Sequence, residues 1–218
     1  MKKILTVFVL AAILGAALIS CRTQLKKDGS GFTALDHLAF GSAWLESKDY
    51  QRAEGSFRKA IELDPKSGDA YIQLGFLYYV LYEKEVSGDK APDLMSQYYN
   101  QSFHSLEQGI KNSPKNPRGY TGLARLLEIS KQFSKAVENL LKAKEAAKVD
   151  DISTLIIIEN ELAICYLSQN NLPKAREAYT NYLELISPSS QEYQAVKSII
   201  REIERQIEMN SNLNDTKK

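Results

Sequence analysis

The sequence predicts an all-α protein built from repeated pairs of helices. The first observation is the segment 48–65, KDYQRAEGSFRKAIELDP, in which Ala53, Phe57 and Ala60 recur at helical spacing and share one face. Two small alanines around one aromatic ring allow a second helix to approach closely. The second observation is Pro65, which ends this helix because it has no backbone N–H and restricts the residue before it. The third is that no strand-like pattern competes with the helical one.

The segment 34–47 precedes this helix and completes a helix–turn–helix of about 34 residues. With its Gly41 and Trp44, and the Ala–aromatic–Ala–Pro pattern that follows, the unit resembles one tetratricopeptide (TPR) repeat. Trp44 stands where the family usually has Tyr, and Phe40 stands where it usually has Leu. His37 replaces the usual first Trp.

Composition excludes some functions. The chain has 218 residues, 44% hydrophobic and 25% charged, which is ordinary for a globular protein. Its formal net charge is +1, and loss of two lysines with a cleaved leader would make it −1. This near-neutral charge argues against non-specific nucleic-acid binding, which needs a basic face. The two cysteines, Cys21 and Cys165, do not make a disulfide framework, and Cys165 is expected to be a small buried hydrophobe.

Residues 1–20 predict a signal peptide. Two lysines precede an uncharged apolar run, which is the pattern of a secretory signal. The run ends in Leu-Ile-Ser-Cys and resembles the bacterial lipoprotein signal, in which a peptidase cuts before the Cys. The resemblance implies that Cys21 is acylated, with palmitate among its chains, and anchors the protein to a membrane. The alternative is an uncleaved anchor, because residues 4–20 are near the short limit of a spanning helix.

The residues after this cysteine predict a tether and a location. Arg22 suggests the outer membrane, facing the periplasm, because the enterobacterial sorting rule retains lipoproteins with Asp there at the inner membrane. Residues 21–33 comprise the lipidated Cys and a polar, flexible tether that contains Gly-Ser-Gly. Lys26 and Lys27 are most simply solvated linker charges near the lipid surface.

Four repeats are predicted over residues 34–189. Their approximate bounds are 34–67, 68–116, 117–150 and 156–189. The first two match the family pattern clearly, and the last two are degenerate. If the resemblance holds, the pairs stack into a right-handed TPR superhelix.

The second repeat contains a 15-residue insertion at 83–97, judged by register with the first repeat. The first helix of this repeat is expected to overrun to about Val86. Gly88 and Pro92 predict that a turn or loop interrupts the chain within the segment 83–92. A long second helix is then expected over 93–112, since Pro is tolerated in the first turn.

A further helix is predicted over 190–209. Its apolar side is formed by Tyr193, Val196, Ile199, Ile200, Ile203 and Ile207. This stripe fits a capping helix over the last repeat, and a coiled-coil helix for self-association would use the same stripe. Residues 210–218 are polar and are expected to be a disordered tail.

The family resemblance also implies a binding groove lined by the first helix of each repeat. In the family register, the expected partner-binding positions are Leu38, Ser42, Asp69, Ile72, Phe76, Tyr79, Arg118, Thr121, Arg125, Glu128, Asn160 and Ile164. Flanking positions in the same register are Leu35, Leu45, Ile157 and Leu167. Tyr and Arg are residue types that anchor interfaces, and a peptide or a helix is the natural ligand. The alternative is that Phe76 and Tyr79 belong to the core.

Catalysis has little support in the sequence. His37 and His104 are the only histidines, and neither lies near a Cys or a carboxylate at ligand spacing. The sequence has no Gly-rich phosphate loop and no hydrolase serine motif. We therefore expect no enzyme activity, no metal and no cofactor. Asp150 and Asp151 are expected to form a turn or a helix N-cap.

The leading hypothesis is a membrane-anchored TPR lipoprotein that acts as a protein-binding scaffold for a cell-envelope complex. Outer-membrane assembly, a pilus or secretion machinery, and a protease adaptor all remain open. One alternative is an oligomeric transport accessory with a hydrophobic ligand cavity behind Phe76, Tyr79 and Ile164. Another is a structural protein that self-associates through its C-terminal stripe. The expected partners are therefore an unidentified envelope protein or peptide and a membrane, but no nucleic acid, and a homo-oligomer is an open alternative.

Overall fold

The structure is a computed structural model that describes residues 28–88 and 92–215, with side chains up to residue 212. Within these residues the chain forms helices and turns and no strand, which confirms the all-α prediction. The helices are α1 (Ala34–Glu46), α2 (Tyr50–Leu63), α3 (Gly68–Ser87), α4 (Pro92–Asn112), α5 (Pro117–Ile129), α6 (Phe133–Ala146), α7 (Ile152–Ser168), α8 (Leu172–Leu185) and α9 (Gln191–Asp215). The predicted signal peptide 1–20, Cys21 and tether residues 22–27 lie outside the described residues.

The chain divides into two compact units, Met1–Ala70 and Tyr71–Lys218. In the first, α1 and α2 pack as an antiparallel hairpin. Thr33 begins α1 with a capping box, because its hydroxyl oxygen accepts the N–H of Asp36 and the Asp36 carboxylate accepts the N–H of Thr33. Asp49 begins α2 by accepting the N–H of Arg52.

A glycine sets how closely this hairpin packs. A Cβ atom added at Gly41 would lie 2.4 Å from Cε1 of Phe57, closer than packed atoms allow. The Phe57 ring is fully buried between Ala53 and Ala60, which are also fully buried. The predicted pattern of small residues around one aromatic ring is therefore the packing that joins α1 to α2.

Three hairpins turn through a residue in the left-handed region. Lys48 has φ 62°, Lys131 has φ 58° and Asn170 has φ 56°. These residues occupy the same position of the first, third and fourth repeats. The shared turn is independent support for the repeat register, because non-glycine residues adopt this backbone uncommonly.

The second unit continues α3 and contains α4 to α9. In it α5 pairs with α6, α7 pairs with α8, and α9 packs against α8. The main core comprises Leu123, Ala124, Leu127, Ala136, Leu140, Ala143, Ile158, Leu162, Ala163, Cys165, Tyr166, Leu172, Ala175, Ala178, Tyr179, Tyr182, Val196 and Ile203. A smaller cluster joins Ile72, Leu106 and Leu126.

Helix α3 continues to Ser87, which agrees with the expected overrun of this helix to about Val86. Tyr82 packs edge-on against Tyr99, with ring centroids 6.1 Å apart, and Tyr78 stacks on Tyr98 at 6.4 Å. These contacts give the extended ends of α3 and α4 an apolar partner, so both helices lengthen. The two helices contain 20 and 21 residues, whereas α5 and α6 contain 13 and 14.

The fourth repeat begins earlier than predicted. Helix α7 starts at Ile152 rather than at about Ile156, because Asp151 caps it by accepting the N–H of Thr154 at 3.2 Å. The prediction that this aspartate could be an N-cap is confirmed.

Helix α9 also differs at its end, since the tail predicted as disordered from residue 210 is helical as far as Asp215. No Gly or Pro interrupts it, and the Ser211 hydroxyl donates to the Glu208 carbonyl in the final turns. On the packed side of α9, Val196 and Ile203 are buried, and Tyr182 of α8 donates its hydroxyl to Glu192. None of the helices in the described ranges is both long and apolar enough to span a bilayer.

We predict that Gly41→Ala destabilises the first unit by about 1–3 kcal/mol, because its methyl group would overlap the Phe57 ring. Urea unfolding followed by circular dichroism measures this change. Gly55→Ala is the matched control, since a Cβ there meets nothing within 4 Å and should add about 0.5–1 kcal/mol of stability. Equal effects of the two substitutions would contradict the close-packing account.

Candidate functional site

Helices α3, α5 and α7 carry the predicted groove positions of the second unit. Two glycines of α5 allow it to pack closely against α4: a Cβ at Gly119 would lie 2.8 Å from Ile110, and one at Gly122 would lie 2.8 Å from Leu106. The same Cβ atoms would lie 3.4 Å from Ile72 and 3.2 Å from the Phe76 ring of α3. Arg118 of α5 donates to Gln73 of α3 at 3.3 Å.

We call the accessible part of this surface the groove face. It comprises the predicted positions Phe76, Tyr79, Arg118, Arg125, Glu128, Asn160 and Ile164, together with the flanking Ile157 and with Glu161, the ion-pair partner of Arg125. Two predicted groove residues do not belong to it. Ile72 is only 1% exposed because it packs with Leu106 and Leu126, and Thr121 is 7% exposed. The prediction that these two side chains contact a partner is therefore wrong.

Phe76 and Tyr79 belong partly to the core and partly to the groove face. Both pack against the cluster of Ile72, Leu106 and Leu126, and both remain half-buried. The Arg118 guanidinium lies over the Phe76 ring, 5.4 Å from its centroid. The Tyr79 hydroxyl donates to Glu83 at 2.8 Å, and burial followed by this neighbouring carboxylate raises the pKa of Tyr79 above its usual range.

A polar cluster joins α5 to α7. Arg125 Nε donates to Glu161 Oε1 at 2.9 Å, and the Cys165 thiol donates to Glu128 Oε1 at 3.1 Å. Glu128 also hydrogen-bonds to Glu161. Burial raises the pKa of Glu128 to about 7, and the charge of Glu161 and its hydrogen bond act in the same direction, whereas Cys165 and Arg125 oppose them. Burial and the Glu128 carboxylate raise the pKa of Cys165, so it is a neutral thiol and not a nucleophile.

Sequence reasoning placed Arg125 and Glu128 in the groove but missed Glu161 and Cys165 as their partners. These pairs are separated by 36 and 37 residues. The repeat register could have indicated these partners, because residues on the first helices of successive repeats become neighbours when the helix pairs stack.

The most accessible groove-face residues lie on α5 and α7. Arg118 is exposed, Ile164 is 39% exposed and Asn160 is half-buried. Ile157, one predicted flanking position, is 42% exposed and lies two helical turns before Ile164. An apolar strip beside fixed charges can therefore contact a partner.

The first unit carries its own predicted positions. Leu38 is half-buried, and its carbonyl accepts the Ser42 hydroxyl at 3.0 Å. Asp69 is exposed in the first turn of α3. Leu35 is 65% exposed.

His37 has a carboxylate partner in space, although none stands at ligand spacing in the sequence. Its Nε2 lies 2.6 Å from Oδ2 of Asp28, nine residues upstream and outside the helical spacing considered from sequence. His104 is exposed. In the part of the chain that the structure describes, no group of three or more His, Cys, Asp or Glu residues could hold a metal ion.

A cavity of about 580 Å³ lies at the extended ends of α3 and α4. It is lined by Tyr82, Pro92, Met95, Ser96, Tyr99, Asn100, Ile129 and Ser130. This is not the position predicted for a ligand cavity, because none of Phe76, Tyr79 and Ile164 lines it.

Comparison with known proteins agrees with the repeat register. The family model for the tetratricopeptide repeat matches residues 37–67. Tetratricopeptide repeat protein 1 of Schizosaccharomyces pombe is 39% identical over 93 residues, which are 42% of this chain and 9% of that protein. The type IV pilus assembly protein PilF of Pseudomonas aeruginosa is 25% identical over 182 residues, which are 81% of this chain and 65% of PilF. The chain thus spans less than two thirds of either curated relative.

Solved structures show the same fold. The crystal structure of TTC0263, a TPR protein of Thermus thermophilus, superposes with a TM-score of 0.61 at 18% identity, covering 75% of this chain and 79% of that one. A structure of P. aeruginosa PilF gives 0.59 at 21% identity, covering 79% of this chain and 72% of that one. With the helix pairs, the glycine contact at Gly41 and the shared turns, these similarities show that the chain contains a tetratricopeptide repeat and has the fold of tetratricopeptide repeat proteins.

Proposed function

We propose that this chain is a lipid-anchored, non-catalytic TPR protein of the bacterial cell envelope that binds a protein partner through the groove face. The observation that carries the proposal is a mixed surface in which exposed Ile157 and Ile164 lie on the same helix as Glu161, whose carboxylate is fixed by Arg125. Such apolar anchors with oriented charges suit recognition of a peptide or a helix.

The similarity to PilF favours pilus assembly among the envelope pathways. PilF is named as a type IV pilus assembly protein, and its alignment extends over most of this chain. An anchor at Cys21 on the outer membrane would place the groove face in the periplasm, where a pilus, secretion or outer-membrane assembly component or a protease could be bound. The partner is expected to be a protein segment with apolar side chains and both charges.

One alternative function has an observation in its favour. The cavity lined by Tyr82, Met95, Tyr99 and Ile129 has a volume within the range of small-ligand sites, and its lining is largely apolar. The alternative of self-association through the α9 stripe has less support, because Val196 and Ile203 of that stripe are buried against the core that contains α8. Ile199 of the same stripe remains 39% exposed.

We predict that Ile157→Ser with Ile164→Ser abolishes capture of the partner from detergent-solubilised envelopes, read by mass spectrometry. Each isoleucine that a partner buries contributes about 1.5–3 kcal/mol, so each loss should weaken binding about tenfold or more. Leu141→Ser is the matched control, because Leu141 is similarly exposed on α6 and outside the groove face. Tyr79 and Arg125 are less suitable targets, since both also support the fold.

Capture of the same proteins by wild type and by the Ile157/Ile164 variant would refute the groove face as the binding site. Loss of capture in the Leu141→Ser variant as well would point to a general effect on folding, which thermal unfolding of both variants measures.

We predict that Cys21→Ala abolishes incorporation of labelled fatty acid and leaves the unprocessed precursor, because the acyl group is joined through this thiol. Metabolic labelling followed by gel electrophoresis measures both. Cys165→Ala should label normally, since that thiol is buried in α7. Unchanged labelling and migration of the Cys21 variant would refute the lipid anchor.

The charge of the groove face should depend on pH near neutrality. The pKa of Glu128 rises from its usual 4.5 to about 7 on folding, so the folded chain binds more protons than the unfolded chain between these values. Stability therefore falls as pH rises through this window, and the contribution of this site is fully present only below about pH 4.5.

We predict that Glu128→Gln reduces the fall in the urea midpoint between about pH 5 and about pH 8, because Gln removes the titrating proton and the repulsion with Glu161. Glu138→Gln is the control. Its carboxylate is exposed and hydrogen-bonded to Lys142, which lowers its pKa, so its contribution is lost only on acidification. An unchanged pH dependence in Glu128→Gln would show that Glu128 is not the responsible group.

A further inference from the structure

The first repeat leaves exposed a side chain that the other repeats bury. Phe40 occupies the seventh position of its repeat and is 39% exposed. The equivalent residues Leu74, Leu123 and Leu162 are only 6%, 9% and 3% exposed. In a repeat array this position packs against a neighbouring helix, and an aromatic ring left exposed there is a candidate contact surface.

Phe40 belongs to a cluster of three rings, which we call the end face. The ring centroids of Phe32 and Phe40 are 5.1 Å apart, and His37 lies 5.9 Å from Phe40 and 6.1 Å from Phe32. All three contacts are edge-on, and Phe32 is 43% exposed. The rings therefore form one joined apolar surface.

The chain enters the first unit at the end face. Asp28 Oδ2 is hydrogen-bonded to Nε2 of His37 at 2.6 Å, and its Oδ1 accepts the N–H groups of Ser30 and Phe32 at 2.8 and 3.0 Å. These bonds fix Asp28 beside the rings and fold residues 28–32 into a tight turn. Asp28, the first residue that the structure describes, therefore lies at the end face.

Little chain separates this point from the proposed lipid anchor. Cys21 lies seven residues before Asp28, which corresponds to at most about 25 Å of fully extended chain. Lys26 and Lys27 lie within this segment, and lysines near a bilayer are attracted to anionic headgroups. A tether this short keeps the end face at high effective concentration at the membrane.

Two acidic groups lie near the rings. Asp28 is paired with His37, whose hydrogen bond lowers the pKa of that carboxyl. Asp36 accepts hydrogen bonds from the backbone and hydroxyl of Thr33. Both carboxylates are thus held by donors of the first unit.

We propose that the end face rests on the lipid bilayer, with Phe32 and Phe40 inserted among the headgroups. The inference rests on the proposed acylation of Cys21, which supplies the anchor. Surfaces that lie in the membrane interface typically combine Phe with basic residues, and Lys26 and Lys27 directly precede Asp28 in the sequence. The short basic tether favours a lipid surface over a protein as the occupant.

The experiment uses the chain from residue 22 to residue 218 with an N-terminal polyhistidine tag in place of the lipid. The protein is bound to phosphatidylethanolamine/phosphatidylglycerol vesicles that contain a nickel-chelating lipid. With Cys165→Ala as background, an environment-sensitive nitrobenzoxadiazole label is attached at Phe40→Cys. We expect a blue shift of its emission on vesicle binding and strong quenching by doxyl-labelled lipids.

The matched control carries the label at Ile199→Cys, which has the same exposed fraction as Phe40 and lies in the second unit. Its emission should not shift. A label at Phe32→Cys, outside α1, repeats the test if the Phe40 variant fails to fold. A vesicle-bound protein without a shift at either aromatic position overturns the proposal. A shift that depends on protein concentration without vesicles also overturns it, because a second copy would then cover the end face.

Failure of this proposal is distinguishable from failure of the lipid anchor. The tag replaces the acyl chains, so the vesicle result does not depend on processing at Cys21, which metabolic labelling tests separately.

Discussion

The structure depends on the close packing of the two helices in each pair. In the first two repeats this packing occurs where the first helix has a glycine. Gly41 meets Phe57 in this way, and a Cβ at Gly75 would lie 2.7 Å from Leu106. The glycine and its partner are 16 residues apart in the first repeat and 31 residues apart in the second. The difference of 15 residues equals the length of the insertion. The insertion therefore left the contact intact and lengthened the helices beyond it, because the contact fixes the register of the pair and the helix ends are free to extend.

The elements predictable from sequence were those determined by local pattern. The helix pairs follow from apolar spacing, and α2 ends where Pro65 requires it, after Leu63. The length of the insertion and the overrun of α3 were predictable, and Gly88 and Pro92 mark where the helices are interrupted. The packing of the extended helix ends was not predictable, because the contact of Tyr82 with Tyr99 is tertiary and no local signal encodes it.

The groove face was predictable in outline because the family register names surface positions, but register does not determine burial. Ile72 is covered because it packs with Leu106 of α4 and Leu126 of α5. Buried Glu159 could not be inferred at all, since its carboxylate is satisfied by Lys144 at 2.5 Å and by Asn181, which lie on different helices. Register places a residue on a helix face, whereas neighbours from other repeats decide whether it is buried, paired or exposed.

The first and the last repeat of this chain differ in how their apolar side chains are covered. At the C-terminal end, α9 covers α8 with Val196 and Ile203, so the last repeat keeps its core dry. In the first repeat, Phe40 remains exposed beside Phe32, and the chain is held there by Asp28. A covering helix would be the usual solution for exposed apolar rings. An aromatic surface retained next to a short basic tether is better explained by a function at that surface, because exposure in water favours neither ring.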